Sequence, residues 1–279
     1  MSQRLHIASL GSSFAAGPGI PPQLEPVAAM RSGQNYPHLL ARQLDAKLTD
    51  LTVSGATLLN ITQEPQTPPL SAQVFPPQNE GLPGDVDIVT ITAGGNDVNY
   101  IGQMIADAWR ASTLGMVAST IMQGINAVSS MLTSGGSDVP PGASQEALVD
   151  RFVEVLDAVH AKAPASRIYL MEYLALMGSD TQPGVDIPLD GERIIYHTHV
   201  AHRLQEAYAA TAARRSEWCE CVAGHELSNN HALGSEEPWV GGYTLTSLLR
   251  RNVPVLHPTL KGMEAVADIL VSSIQRHLQ

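Results

Sequence analysis

The sequence predicts an α/β protein, a three-layer α/β/α sandwich built around a central parallel sheet. Three observations carry that prediction. Short, predominantly apolar runs, 4–10, 51–53 and 87–93, each stop at a glycine: Gly11, Ser54-Gly55 and Gly94-Gly95. Segments with helical spacing of apolar residues stand between them. A strand apolar on both faces has to be covered on both faces, and parallel sheets meet that need with helices on either side. Finally, 23 glycines and 19 prolines in a chain with 15% charged residues indicate long, ordered loops around a regular scaffold rather than a helical bundle.

Taken in order, the run 4–10 is the first strand. Asn35 opens a helix over 36–48, with Leu39, Leu40, Leu44 and Leu48 recurring at helical spacing. The second strand is 51–53, the Pro-rich stretch 63–84 is a loop, and 87–93 is the third strand. Residues 98–133 are apolar, carry Met104, Met116, Met122 and Met131, and predict two or three helices; the stretch 98–140 is a candidate helical insertion that lines a substrate site. Ser144 caps a helix running to His160, with Phe152, Val155, Leu156 and Val159 on one face. A fourth strand at 168–174, a helix from about Gly191 to Arg215 and a last helix from about Thr259 to Leu278 complete the pattern. With no internal repeat and no low-complexity linker, 1–279 reads as one domain.

Composition excludes several roles. Sixteen Lys and Arg against 27 Asp and Glu give a net charge of −11, the wrong sign for binding a phosphate backbone, so no nucleic-acid partner is expected. The first ten residues lack the apolar core of a secretion signal, and no run of about 18 apolar residues reads as a membrane span. The expectation is a cytoplasmic protein without integral membrane association. The two cysteines, Cys219 and Cys221, are too close in sequence to staple distant parts of a fold.

In an open parallel sheet, ligands bind beyond the carboxyl ends of the strands. The first strand runs into Gly11-Ser12-Ser13-Phe14, the second into Ser54-Gly55-Ala56-Thr57 and the third into Gly94-Gly95-Asn96-Asp97, while His257-Pro258-Thr259 stands near the C-terminus. These blocks offer a hydroxyl nucleophile, a base, small residues whose amides approach a ligand, and a carboxamide.

The four blocks, in this order and spacing, resemble the SGNH hydrolases, the GDSL esterases and lipases. The resemblance implies a flavodoxin-like sandwich and a serine esterase or lipase acting through an acyl-enzyme, without a cofactor, on a small-molecule ester; the apolar stretch 98–133 favours an ester with an apolar acyl or aromatic part. It also implies roles: Ser13 as nucleophile, His257 as general base, and an oxyanion hole made by Ser13, Gly55 and Asn96. Two departures stand out. Ser12 replaces the aspartate of the usual Gly-Asp-Ser, and the last block reads Pro254-Val255-Leu256-His257 where Asp-x-x-His is usual. With no carboxylate at the third triad position, the expected orienting group for His257 is the backbone carbonyl of Pro254, giving a Ser-His dyad; a carboxylate from Glu236 or Glu237 is the alternative. Asp97 is expected to satisfy loop amides rather than to react.

Two other readings compete. His197, His199, His202, Cys219, Cys221, His225 and His231 cluster in sequence, but His197 does not share a helical face with the other two and Cys-x-Cys is not the usual zinc knuckle, so no metal site is expected. The glycines of 11–19 match neither phosphate-binding pattern. An acyltransferase using the same acyl-enzyme, or a binding protein that has kept the fold without the activity, are the remaining alternatives to hydrolysis.

Overall fold

A computed structural model describes residues 4–69, 71–112, 144–243 and 255–278. Among the described residues, five strands form one sheet: β1 (His6–Gly11), β2 (Lys47–Asp50), β3 (Ile88–Thr92), β4 (Arg167–Met171) and β5 (Cys219–Val222), in the order β2-β1-β3-β4-β5. Every pairing is parallel, and Gly11 lies opposite Thr92 where β1 and β3 end together. All residues of β1 and β3 are buried, as expected of strands covered on both faces, and the buried hydroxyls of Ser9 and Thr90 bond each other at 2.7 Å.

The covering layers are helical. In chain order the helices are α1 (Ser13–Ala16), α2 (Tyr36–Gln43), α3 (Leu58–Thr62), α4 (Tyr100–Ala111), α5 (Gln145–Lys162), α6 (Gly191–Arg214), the single turn α7 (Gly224–Leu227) and α8 (Leu260–Leu278). On one side, α2 packs with α1 and with α8. On the other, α5 packs with α3 and α6, and α6 with α4. This is the α/β three-layer sandwich expected. Ser144 caps α5 by accepting from Ala147 N–H, and Leu148, Phe152, Val155, Leu156 and Val159 form its buried face. On α6, Asp190 accepts Arg193 N–H as the N-cap, and the Tyr208 hydroxyl accepts from Ala93 N–H at 3.0 Å while donating to Ala93 O at 2.6 Å, clamping the end of β3.

Several boundaries differ from expectation. α2 ends at Gln43, not Leu48, because Asp45 takes a left-handed conformation (φ 46°) and Ala46 N–H turns back to Ala41 O. Leu48 therefore belongs to β2, which starts four residues before the predicted strand; 51–53 still hydrogen-bond to β1 through Leu51 N–H to Ser9 O and Val53 N–H to Gly11 O. The edge strand β5 was not anticipated; its cysteines are free. Within the stretch 98–140, α4 forms and buries Met104; Met116, Met122 and Met131 lie outside the described residues. Among the described residues, no helix is long and apolar enough to cross a membrane.

Candidate active site

From β1 the chain moves to β2 on one side and then returns to β3 on the other, so the sheet's topological switch point lies between β1 and β3. Loops leaving adjacent strands in opposite directions open a crevice there, the usual ligand position of such sheets. Ser13 comes after β1 and Asn96 after β3 at this point. The loop after β2 brings Gly55, and the segment before α8 brings His257.

Ser13 is the first residue of α1, and Ser12 N–H donates to Thr92 O at 2.9 Å, tying the serine loop to the end of β3. The Ser13 hydroxyl is 2.8 Å from His257 Nε2, across 244 residues of sequence. On the other side of the ring, His257 Nδ1 is 2.7 Å from the carbonyl oxygen of Val255. A carbonyl only accepts, so Nδ1 carries the proton and Nε2 presents a lone pair to the serine hydroxyl. That is the tautomer a general base needs.

Among the described residues, the carbonyl that meets Nδ1 is that of Val255; Pro254, whose carbonyl was expected there, lies outside them. The Val255 contact has a local cause. Leu256 adopts a left-handed conformation (φ 51°) with its side chain fully buried, and this curl turns the Val255 carbonyl back toward the imidazole two residues on. Neither glutamate takes the position. Glu237 is exposed and paired with Lys261 Nζ at 2.6 Å, and Glu236 is exposed. A strap that sequence reasoning missed holds the histidine loop: Gly241 N–H donates to His257 O, Leu256 N–H to Gly241 O and Thr259 N–H to Trp239 O, at 2.8, 2.9 and 2.8 Å. The Trp239 ring in turn stacks on His231, with centroids 3.9 Å apart.

Burial lowers the pKa of His257 below the usual imidazole value, and the hydrogen bond to Val255, which favours the protonated ring, opposes that only in part. In the general-base role expected for His257 only the neutral ring acts, and activity is then expected to fall as pH drops through this pKa. The acid limb of the kcat/KM profile is thus expected to have its midpoint below the ordinary imidazole value of 6.5. A pH-rate series on a small ester checks this; a midpoint above that value would contradict it.

The turn after β2 is closed by Ala56 N–H to Val53 O, and Gly55 sits in it at φ 84°, where any side chain is strained. Among the described residues, neither Ser13 N–H nor Gly55 N–H has a hydrogen-bond acceptor. Asn96 Nδ2 donates to Ala56 O at 2.8 Å, which leaves its second amide hydrogen for another acceptor and fixes the carboxamide beside the Gly55 turn. Asp97, 4% exposed, accepts Leu58 N–H on both carboxylate oxygens at 3.1 Å, so it joins the third block to the second, in keeping with a loop-anchoring part. Replacing it by alanine leaves that buried N–H without its acceptor and is expected to cost about 1–3 kcal/mol of stability, measurable by urea unfolding.

The histidine run is divided between neighbourhoods. His197 is fully buried and bonds Asp107 through Nε2 at 3.1 Å, whereas the His202 ring faces His225 at 6.1 Å. Cys221 directs its thiol at Glu172. A second residue that sequence reasoning overlooked is Tyr173, just beyond β4, whose hydroxyl lies 3.0 Å from Ser12 Oγ and 3.1 Å from Gly95 N.

The sandwich and the loops gathered at its switch point define an α/β protein of the flavodoxin-like class, with the candidate site residues at the carboxyl end of the sheet. The GDSL-like lipase/acylhydrolase family matches residues 9–265. "Lipase 2" of Streptomyces coelicolor is 27% identical over 95% of this chain and 84% of its own length. An "Esterase" of Streptomyces scabiei is 25% identical over 96% of the chain and 85% of that protein. Among solved structures, a phospholipase A1 from Streptomyces albidoflavus superimposes with a TM-score of 0.70 at 18% identity, covering 97% of this chain and 99% of that one. An extracellular lipase from Streptomyces rimosus gives 0.65 at 22% identity, covering 96% and 99%. The chain belongs to the GDSL-like lipase/acylhydrolase family. It is a carboxylic ester hydrolase.

Proposed function

We propose that the chain hydrolyses small-molecule esters through a Ser13-His257 dyad, without a cofactor. The observation that carries this reading is the short contact of Ser13 Oγ with His257 Nε2 while Nδ1 is held by the Val255 carbonyl. In the forward step, Nε2 takes the Ser13 proton as the oxygen adds to the ester carbonyl. The Ser13 and Gly55 amides and the Asn96 carboxamide receive the oxyanion. The imidazolium then protonates the departing alkoxide, leaving an acyl-Ser13. Water, deprotonated by the same imidazole, releases the acid and restores the serine.

A carboxylate in the third triad position would fix the tautomer and offset the imidazolium charge. The Val255 carbonyl supplies the first effect and, as a dipole, part of the second. This suits esters, whose alkoxide leaves with less assistance than an amine. Exposed apolar residues in the segment bonded to the Gly55 turn support an apolar acyl group. Val27 and Met30, 54% and 47% exposed, lie on either side of Ala29, whose carbonyl accepts Ser54 N–H beside Gly55. A panel of p-nitrophenyl esters from acetate to palmitate, run beside Ser13→Ala, tests both parts. The expected result is turnover that depends on Ser13 and rises from acetate to longer acyl groups; equal rates in the Ser13→Ala protein would remove the reading.

A further inference from the structure

We infer that Tyr173 is a positioning residue that locks the serine loop to the oxyanion loop, and so sets the distance between the attacking oxygen and the Asn96 donor. The inference rests on the roles proposed above for Ser13, Asn96 and His257. Tyr173 is 5% exposed and buried among the loops of the site. Its hydroxyl oxygen accepts Gly95 N–H at 3.1 Å, and Gly95 is the backbone neighbour of Asn96. The same hydroxyl shares a hydrogen bond with Ser12 Oγ at 3.0 Å, and Ser12 is the neighbour of Ser13. Its ring lies 4.4 Å from that of Phe14, which in turn lies 5.3 Å from the His257 imidazole. One phenol thus reaches the residue beside each of two groups that have to act on the same carbonyl, and a ring that packs on the third.

The backbone is shaped to accept it. A Cβ on Gly95 would lie 2.7 Å from the phenol oxygen and from Cζ, so only glycine lets the oxyanion loop come this close. The bond also gives a reason for the departure at position 12. A serine hydroxyl there meets the phenol as a neutral partner, and burial pushes the Tyr173 pKa up to about 12, so the phenol keeps its proton at working pH. A carboxylate in the same place would bring a charge into a buried site. Because the pairing spans 161 residues of sequence, it joins β1's loop to β4's and not merely neighbours along the chain. Catalytic geometry is sensitive at this scale: a displacement of about 1 Å can cost up to about 100-fold in rate.

The test is a double-mutant cycle on the purified full-length protein with p-nitrophenyl butyrate. Tyr173→Phe keeps the ring and removes the hydroxyl. It is expected to lower kcat by about 10- to 100-fold with little change in KM, and to leave the acid limb of the pH profile in place, because Phe14 still packs between the ring and His257. Ser12→Ala should reproduce the fall, and the double variant should be no slower than the slower single variant, since both break one link. Tyr36→Phe is the control: it removes the hydroxyl of another buried phenol, bonded to Thr92 Oγ1 at 3.1 Å rather than to Ser12 or Gly95, so it should lower Tm without the loss of kcat expected of Tyr173→Phe. The inference fails if Tyr173→Phe retains kcat within about twofold, if the loss lies only in KM, if Tyr36→Phe loses as much kcat, or if Ser12→Ala and Tyr173→Phe multiply as independent effects. Should Tyr173→Phe not fold, Ser12→Ala read against the same control decides alone. Ser13→Ala in the same series separates the two levels: activity there would sink the dyad itself, whereas a dead Ser13→Ala beside a fully active Tyr173→Phe sinks only this positioning part.

Discussion

Ser13→Ala is expected to lower kcat by about 10⁴- to 10⁶-fold while leaving the fold and Tm close to the parent. The hydroxyl is the only part of the side chain removed. It bonds His257 Nε2, and without it the loop stays anchored through Ser12 N–H to Thr92 O. His257→Ala should fall to a similar level rather than a multiplied one, because nucleophile and base act as a unit and either loss ends covalent turnover. The double variant Ser13→Ala/His257→Ala should therefore be no slower than either single one. Steady-state rates with p-nitrophenyl butyrate and circular dichroism of each purified variant check both halves. A Ser13→Ala protein retaining more than about a tenth of the parental kcat would contradict the dyad.

The second large effect is expected at Asn96. Loss of one preorganised oxyanion donor typically costs about 10²–10³ in kcat, with little change in substrate binding, because the interaction strengthens only as charge develops on the carbonyl oxygen. Asn96→Ala removes the Nδ2 donor and its bond to Ala56 O, so some of the loss arises from a looser Gly55 turn. Asn96→Asp distinguishes the two contributions. It leaves no N–H donor and sets a carboxylate opposite the oxyanion, so it should be slower than Asn96→Ala if charge stabilisation dominates. Measured kcat and KM for both variants decide it; an unchanged kcat in Asn96→Ala would exclude Asn96 as a donor.

Much of this architecture is legible in the sequence where burial acts on a whole segment. β1 and β3 are mainly apolar and β-branched because both their faces are covered, and α5 carries its cap and its buried stripe in plain order from Ser144 to Val159. The boundary between α2 and β2 is not legible. Leu44 and Leu48 continue the helical spacing, and only the left-handed turn at Asp45 breaks it. β5 is four residues long and sits at the sheet edge, too short to show a period. At the site, residue types after strand ends point to Ser13, Gly55, Asn96 and His257, since chemistry restricts which side chains serve there. The Val255 carbonyl has no such signature: every residue has a carbonyl, and which one meets the imidazole depends on the φ of Leu256. Tyr173 and the strap of Trp239 and Gly241 are hidden for a related reason, being joined to the site by contacts between distant segments rather than by any local pattern.

The dyad is tested most directly by treating the purified enzyme with a fluorophosphonate, digesting it and locating the adduct by mass spectrometry. Only a serine whose proton is being taken by a neighbouring base should react, and its phosphonyl oxygen should occupy the oxyanion donors. One adduct per chain is predicted, on the peptide containing Ser13, absent from Ser13→Ala and formed more slowly in Asn96→Ala and His257→Ala. An adduct on another serine, such as Ser12 or Ser54, or undiminished labelling of Ser13→Ala, would contradict the dyad.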